Sequence, residues 1–269
     1  MSPEEWERIL VGATKRVQRR VNSIAVDGRR GEGVGVGASG DSTILADKRA
    51  EDEILSTLER VGGVRVLSEE AGGVGERRAR TLAVVDPLDG SSNYEIGIPF
   101  YCTSVAIVDG ESLEGVALGV VRDLVSGDVY VGKRGKGATK NGRPIRTSGR
   151  TSLSEAVVGI DVSRSPADVA MKLAPLMSSV KRQVHFGANA LELCFLADGR
   201  VDAFVDIRGK IRITDFAAAY LIAKEAGATF TDEGGVPVRP SFDLRHRFSF
   251  VGSASISLHK EILSMVGRP

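Results

Sequence analysis

Apolar residues recur at helical spacing at the start of the chain and then give way to short runs. The first set comprises Trp6, Ile9, Leu10, Ala13, Val17 and Val21. Ahead of it, Ser2 and Glu5 stand three positions apart with a proline between them, which is typical of a helix N-terminus. The pattern predicts a long amphipathic helix whose apolar stripe faces a core or a subunit interface. A second helical face follows at Ala50, Ile54 and Leu58.

Short apolar runs bounded by turn residues dominate the next part of the chain and predict β-strands. The runs cover residues 64–67, 82–85, 102–108, 115–121 and 128–131. Asp109-Gly110 and Ser126-Gly127 separate the last three runs, which favours antiparallel pairing.

From about residue 144, apolar runs alternate with helical patterns. Predicted strands cover residues 156–162, 184–186, 201–207, 228–231 and 248–252, and predicted helices begin near Ser165, Asn189, Asp215 and Ser257. Such alternation is typical of an α/β arrangement. We therefore predict an α+β protein with an N-terminal half at residues 1–143 and a C-terminal half at residues 144–269. The two halves form one compact unit because no long linker separates them.

The overall composition excludes several classes of function. The 269 residues carry a formal net charge of +1, with 42% hydrophobic and 26% charged residues. This charge provides no field that would attract nucleic acid or an anionic membrane. No apolar stretch is long enough to span a bilayer and no signal-peptide pattern is present, so we expect a cytoplasmic protein without a membrane partner. Cys102 and Cys194 lie in apolar runs, which favours buried free thiols.

The most informative stretch is residues 84–93, Val-Val-Asp-Pro-Leu-Asp-Gly-Ser-Ser-Asn. Proline restricts its own backbone and that of the residue before it, so the carboxylates of Asp86 and Asp89 and the Leu88 carbonyl are expected to turn to one side. Oxygen ligands of this kind suit a hard cation such as Mg²⁺. The next three residues, Gly90, Ser91 and Ser92, offer amides and hydroxyls to phosphate oxygens. The alternative interpretation is a strand end followed by a simple Asp-Gly turn.

This stretch resembles the signature of the inositol monophosphatase family, the Mg²⁺-dependent sugar phosphatases that include fructose-1,6-bisphosphatases. The family pattern is an apolar strand followed by Asp-Pro-apolar-Asp-Gly-Ser/Thr. A second similarity is Asp215 ahead of a helix of small residues that runs into 225–228, Glu-Ala-Gly-Ala, with Thr214 where the family has tryptophan. The resemblance implies a layered αβαβα sandwich, the fold of the sugar phosphatases.

The resemblance also implies a set of metal ligands and catalytic residues. The implied ligands, for two or three Mg²⁺ ions with Mn²⁺ as a possible substitute, are Glu69, Asp86, Leu88, Asp89 and Asp215. The implied catalytic residues, which orient an attacking water for direct in-line hydrolysis, are Asp47, Glu69, Glu70 and Ser91. Judged from the residues alone, Asp47 and Asp215 are equally well explained as helix caps, and Glu69-Glu70 as a solvated turn.

The substrate residues follow from the same resemblance. Phosphate is expected to contact Asp89, Gly90, Ser91 and Ser92, and sugar hydroxyls to contact Asp206. Three alternate basic residues, Arg208, Lys210 and Arg212, either form a solvated loop or hold a second phosphate. A glycine-rich segment at 28–40 is expected to be a mobile surface loop near the active site.

The expected activity is that of the archaeal dual-activity enzymes, which residues 190–194 and 202–208 most resemble. These enzymes hydrolyse fructose 1,6-bisphosphate and inositol 1-phosphate. Alternatives are a dedicated inositol-1-monophosphatase, a nucleotide 3′-phosphatase and, from another class, a non-catalytic binding protein of the RNA machinery. The expected partner is a small sugar or inositol phosphate and no nucleic acid. The family implies a homodimer, with a tetramer as the alternative.

Overall fold

Seven α-helices and three β-sheets make up the part of the chain described by the computed structural model, residues 1–40 and 42–267. The helices are α1 Pro3–Val26, α2 Leu45–Val61, α3 Ser91–Ile96, α4 Ala167–Ser179, α5 Asn189–Ala197, α6 Ile213–Glu225 and α7 Ile256–Val266. The first strands are β1 Gly33–Val36, β2 Ser42–Ile44, β3 Val64–Ser68, β4 Gly72–Gly75, β5 Thr81–Asp89, β6 Cys102–Asp109, β7 Val116–Asp123 and β8 Val129–Lys133. The remaining strands are β9 Gly137–Lys140, β10 Arg143–Pro144, β11 Val157–Ile160, β12 Arg182–Val184, β13 Ala203–Ile211, β14 Thr229–Thr231 and β15 Phe248–Ser253.

The two larger sheets have different strand directions. The eight-stranded sheet has the order β10-β9-β8-β7-β6-β5-β3-β4, in which β3 and β5 are parallel and all other neighbours are antiparallel. The five-stranded sheet has the order β12-β11-β13-β15-β14, in which β12, β11 and β13 are parallel. β1 and β2 form a separate two-stranded hairpin.

The elements stack in five layers, which confirms the predicted αβαβα sandwich. α1 and α2 cover one face of the eight-stranded sheet, and α5 and α6 cover its other face. The five-stranded sheet lies beyond α5, and α4 and α7 pack on its outer side. Each space between layers holds buried apolar side chains, so burial on both faces of each sheet drives this arrangement.

Two glycines determine how closely α6 approaches the large sheet. A Cβ at Gly132 of β8 would lie 2.7 Å from the Cα of Ile222, and one at Gly119 of β7 would lie 2.4 Å from the Ala218 carbonyl oxygen. Real Cβ atoms do not come this close to backbone, so both positions require glycine for this packing. The depth of α6, which carries Asp215 in its first turn, depends on them.

Most local predictions are confirmed. α1 begins as expected: the Ser2 hydroxyl accepts a hydrogen bond from the Glu5 amide at 3.2 Å, and the Glu5 carboxylate accepts one from the Ser2 amide at 2.7 Å. The predicted antiparallel strands pair as expected.

Two predictions were wrong. β5 does not end before Asp86 but continues to Asp89, and part of the supposed loop at 28–40 is the exposed strand β1.

Among the described helices, none combines the length and apolar character needed to cross a membrane.

Candidate active site

The end of β5 is irregular, and this irregularity orients two aspartates. The pairing of β5 with β6 shifts between Asp86 and Asp89, so that the strand bulges at this point. The Thr103 hydroxyl donates a hydrogen bond of 2.8 Å to the Pro87 carbonyl, and the Leu88 amide donates one of 3.1 Å to Asp86 Oδ1. Asp86 is fully buried, yet its Oδ2 has no hydrogen-bond partner within the described structure. Such an atom is costly unless a cation or a proton satisfies it.

Asp89 connects β5 to the N-terminus of α5. Its Oδ1 accepts a hydrogen bond from the Asn189 amide at 3.2 Å, and its Oδ2 accepts one from the Ala190 amide at 2.7 Å. A carboxylate is favoured here because the first amides of a helix lack partners and carry partial positive charge. The next residue, Gly90, has φ 89°, and a Cβ there would lie 2.9 Å from the Phe100 carbonyl oxygen. The turn that starts α3 therefore requires glycine.

Three buried carboxylates converge beside this turn. Glu69 directly follows β3, Asp86 lies in β5 and Asp215 lies in the first turn of α6. β3 and β5 are parallel, so their carboxyl ends share one edge of the sheet. One oxygen from each of the three residues lies within 4.8 Å of the others. These hard oxygen donors fit a divalent cation such as Mg²⁺, and Asp86 also carries an oxygen that has no hydrogen-bond partner in the described structure.

Arg212 lies against the same carboxylates. Its Nη1 forms an ion pair with Glu69 Oε1, and its Nε donates hydrogen bonds to both Asp215 oxygens at 3.1 and 3.2 Å. The guanidinium thus supplies positive charge to two of the three members of the cluster. The Thr214 hydroxyl also donates to Asp215, at 2.9 Å.

Asp47 and Glu70 lie close to this cluster. Asp47, in the first turn of α2, accepts a hydrogen bond of 2.8 Å from the Ile44 amide. The Thr43 hydroxyl donates to Glu70 Oε2. Glu70 and Glu69 each raise the pKa of Asp47, so their negative charges act on this carboxyl group.

Burial raises the pKa values of several of these acids and so disfavours their charged forms. It raises the pKa of Asp47 and of Asp89 to about 8, and neighbouring carboxylates add to the effect. Burial also raises the pKa of Glu69 to about 7, although Arg212 opposes the rise. The pKa of Asp86 lies well above its usual range because of burial and then because of Glu69. The cluster therefore favours a bound cation, which would stabilise all the charged forms at once.

Of these groups, Glu69, Glu70, Asp89, Arg212 and Asp215 line a cleft of about 700 Å³, whereas Asp47 and Asp86 are not among its lining residues. The lining residues that carry polar side chains or start the α3 turn are Ser42, Thr43, Glu69, Glu70, Asp89, Gly90, Ser91, Ser92, Glu95, Arg164, Asn189, Arg212 and Asp215. Gly31, Gly33 and Gly35 of the glycine-rich segment also lie on the cleft. The cleft is strongly acidic, so an anionic substrate needs cations to bind here.

Three of the residues predicted to contact substrate lie outside the cleft lining. Asp206 is fully buried in β13, and Arg208 donates hydrogen bonds to both of its oxygens at 2.9 and 2.6 Å. Arg208 also pairs with Asp161. Lys210 donates a hydrogen bond of 2.5 Å to the carbonyl of Arg164. The structure gives these side chains partners within the protein.

Five described residues of the cleft lining with polar side chains were missing from the sequence prediction: Ser42, Thr43, Glu95, Arg164 and Asn189. Thr43 and Asn189 carried no motif, and their roles depend on partners far along the chain, Glu70 and Asp89. Arg164 lies in a turn between β11 and α4 and was also not singled out. A basic residue within a turn after a parallel strand was the only available signal, because ligands often bind beyond the carboxyl ends of such strands.

Proteins similar in sequence to this chain carry the names of phosphatases. It is 33% identical to a fructose-1,6-bisphosphatase/inositol-1-monophosphatase of Methanothermobacter thermautotrophicus, over 96% of this chain and 95% of that protein. It is 30% identical to a bifunctional NADP phosphatase/NAD kinase of Methanococcus maripaludis, over 94% of this chain and 48% of that protein.

A solved structure with the same fold is that of an inositol monophosphatase-fructose 1,6 bisphosphatase. It superposes with a TM-score of 0.84 at 30% identity and covers 97% of this chain and 99% of that chain. The model of the inositol monophosphatase family matches residues 3–267, nearly the whole sequence. With these carboxylates at the end of β5 and the start of α6, the chain belongs to the inositol monophosphatase family, whose members are metal-dependent phosphatases.

Proposed function

We propose that this protein is a Mg²⁺-dependent phosphomonoesterase that hydrolyses fructose 1,6-bisphosphate and inositol 1-phosphate. The observation that carries the proposal is the convergence of Glu69, Asp86 and Asp215 beside the cleft, with a buried Asp86 oxygen that has no partner in the described structure. The names of the relatives support the choice of substrates.

In this proposal Glu69, Asp86 and Asp215 hold the first divalent cation, and Asp89 and the Leu88 carbonyl contribute to a site for two or three ions. Mg²⁺ suits these oxygen ligands, and Mn²⁺ is a possible substitute. When bound, such a cation polarises a phosphoryl oxygen and makes a water molecule more acidic.

The side chains around the cluster would position the reactants. Asp47 and Glu70 are held by the Ile44 amide and the Thr43 hydroxyl, and we assign to them, with Glu69, the orientation of the attacking water. The Ser91 hydroxyl is assigned to the same task. Ser92, Gly90 and Asp89 lie where α3 begins and would contact the transferred phosphate. No histidine that could activate a nucleophilic side chain lies among the described residues that line the cleft, so we propose direct attack by water.

A second candidate activity is hydrolysis of the 2′-phosphate of NADP. It is favoured by the similarity to bifunctional NADP phosphatase/NAD kinases over 94% of this chain. The cleft volume of about 700 Å³ also falls within the range of sites that hold ligands larger than a sugar monophosphate.

The test is phosphate release with Mg²⁺ from fructose 1,6-bisphosphate, inositol 1-phosphate and NADP at equal concentrations. We expect efficient release from the first two. Asp215→Asn should lower the rate by more than about a hundredfold. Removing a residue that only hydrogen-bonds to a metal ligand already lowers metal affinity or activity about 10–100-fold, and Asp215 is itself a proposed ligand. Asp168→Asn, an exposed aspartate in the first turn of α4, is the matched control and should leave the rate unchanged. Full activity of Asp215→Asn would refute the proposed metal site.

A further inference from the structure

Arg164 lies on the cleft in an unusual backbone conformation. It is exposed, and its φ of 54° is in the left-handed region that arginine rarely adopts. It belongs to a turn closed by a hydrogen bond of 3.2 Å from the Ser165 amide to the Val162 carbonyl. A strained residue of this kind persists only when surrounding contacts hold it.

Those contacts come from Arg208 and Lys210. Arg208 Nη1 donates hydrogen bonds of 2.9 Å to both the carbonyl and the hydroxyl oxygen of Ser163. Lys210 Nζ donates to the Arg164 carbonyl at 2.5 Å. Arg208 is itself fixed between the buried carboxylates of Asp206 and Asp161. The backbone on both sides of the Arg164 side chain is therefore tied to β13.

The Arg164 side chain, in contrast, makes no hydrogen bond or ion pair with another residue in the described ranges 1–40 and 42–267. Among the described residues that line the cleft, only Arg164 and Arg212 are cationic, and Arg212 is engaged by Glu69 and Asp215. The lining otherwise carries five acids, Glu69, Glu70, Asp89, Glu95 and Asp215. Apart from bound metal, Arg164 is thus the positive charge that this cleft presents to a ligand.

We propose that Arg164 binds the second phosphate of a sugar bisphosphate, the one that is not hydrolysed, and that Lys210 and Arg208 are positioning residues that hold the turn carrying it. This inference rests on the proposed phosphatase function and names the residue that selects bisphosphates. A guanidinium suits the role because it offers a planar fork of donors to two phosphate oxygens. The basic residues of β13 thus act on the substrate through the 162–165 turn.

The test compares fructose 1,6-bisphosphate with fructose 1-phosphate, which lacks the second phosphate. With Mg²⁺ present, the wild-type protein should show a lower KM for the bisphosphate. Arg164→Gln should raise that KM about 10- to 100-fold, the range for loss of a hydrogen bond to a charged group, with little change in kcat. Its KM for fructose 1-phosphate should stay unchanged. Arg143→Gln, an exposed arginine on β10 at the far edge of the large sheet, is the matched control.

Lys210→Met tests the positioning role. It should raise the KM for the bisphosphate by a smaller factor than Arg164→Gln does, leave kcat and the fructose 1-phosphate kinetics unchanged, and leave the melting temperature near that of the wild type. Unchanged bisphosphate kinetics would overturn this role for Lys210.

The remaining outcomes separate this inference from the proposed function. Equal effects of Arg164→Gln on both substrates, or no effect, would overturn the inference and leave the phosphatase proposal intact. Hydrolysis of monophosphates but not of the bisphosphate by the wild type would overturn the inference and the bisphosphate part of the proposed function, and would leave the phosphomonoesterase activity itself intact. Hydrolysis of no phosphomonoester at all would overturn both.

Discussion

At the scale of single residues, the buried carboxylate of Asp86 is unfavourable for folding, and its proposed role in metal binding explains why it is there. One oxygen accepts the Leu88 amide, and the other has no partner in the described structure. Glu69 and Asp215 are close enough for their negative charges to raise the pKa of Asp86 further. A residue of this kind destabilises the metal-free protein and is explained by the ligand it is proposed to bind.

We expect Asp86→Asn to stabilise the metal-free protein and to weaken metal binding. The asparagine oxygen can keep the Leu88 hydrogen bond, and its NH₂ group would face carboxylates in place of an unpartnered oxygen. The gain in free energy of unfolding should be about 1–3 kcal/mol. Urea unfolding with a chelator and calorimetric titration with Mg²⁺ measure the two effects. A variant that is less stable than the wild type in chelator would contradict the expected gain.

A second residue-scale prediction concerns Arg212, whose guanidinium pairs with Glu69 and Asp215. A divalent cation needs the same two carboxylates, so the two positive charges compete. Arg212→Gln should therefore bind Mg²⁺ about tenfold more tightly and should be less stable without metal, because the acids lose their counter-charge. Arg164→Gln changes a cleft arginine that does not contact these acids and should leave the affinity unaltered. Equal or weaker Mg²⁺ binding by Arg212→Gln, measured by calorimetry, would rule out the competition.

At the scale of elements, the site depends on where α6 lies against the large sheet. Gly132 and Gly119 allow the close approach, and Asp215 is carried on the first turn of this helix. α5 is held in a second way, by the Asp89 carboxylate at its first amides. The two inner helices are thus tied to β5, β7 and β8, and the geometry of the carboxylates follows from helix packing.

Gly132→Ala tests this dependence. The added methyl group would push α6 away from β8, which should lower the free energy of unfolding by about 1–3 kcal/mol, the usual cost of overpacking. The shift of Asp215 should also weaken Mg²⁺ binding. Gly73→Ala, where a Cβ meets no atom within 4 Å, is the control for the substitution itself. An unchanged melting temperature and unchanged Mg²⁺ affinity in Gly132→Ala would show that α6 does not need this contact.

At the scale of the whole molecule, the cluster couples stability to pH and to metal. Asp47 and Asp89 have pKa values near 8 and Glu69 near 7 in the metal-free fold, all above their ordinary values. Between their ordinary pKa values and these raised ones, the folded state holds more protons than the unfolded state. Stability therefore decreases as pH rises through this window.

We expect the metal-free protein to lose stability between about pH 5 and pH 8, by up to about 1.4 kcal/mol per pH unit for each extra proton held. Saturating Mg²⁺ should remove most of this loss, because binding releases those protons. Thermal unfolding in chelator and in Mg²⁺ across this range measures both effects, and calorimetry in buffers of different ionisation enthalpy counts the protons released. Metal-free stability that rises with pH would contradict the raised pKa values.

Local patterns were sufficient for many elements of the whole fold. α1 was predicted because its cap and its apolar stripe lie within one segment, and α5 was predicted to begin near Asn189, where it begins in the structure. The continuation of β5 to Asp89 was missed because its bulge depends on Thr103 in the facing strand. The division of the chain at residue 143, the homodimer and the cytoplasmic location stay predictions.

For the candidate site, the sequence by itself determined which acids to consider: Asp86, Asp89 and Asp215 stand in two motifs that resemble those of the family, and the same resemblance implies Glu69. Only the tertiary structure decided which of their oxygens meet, because Asp215 reaches Glu69 and Asp86 through the packing of α6 against the sheet. The same holds for the basic residues.

The alternate basic residues Arg208, Lys210 and Arg212 were predicted to form a solvated loop or to hold a second phosphate, but the buried carboxylates of Asp161 and Asp206 pair with Arg208. The cleft instead presents Arg164. The position of this residue depends on contacts between β13 and the turn at residues 162–165. Spacing along a chain specifies which side chains share an element, whereas the pairing of charges is set by burial between elements, where an unpaired ion is too costly to persist.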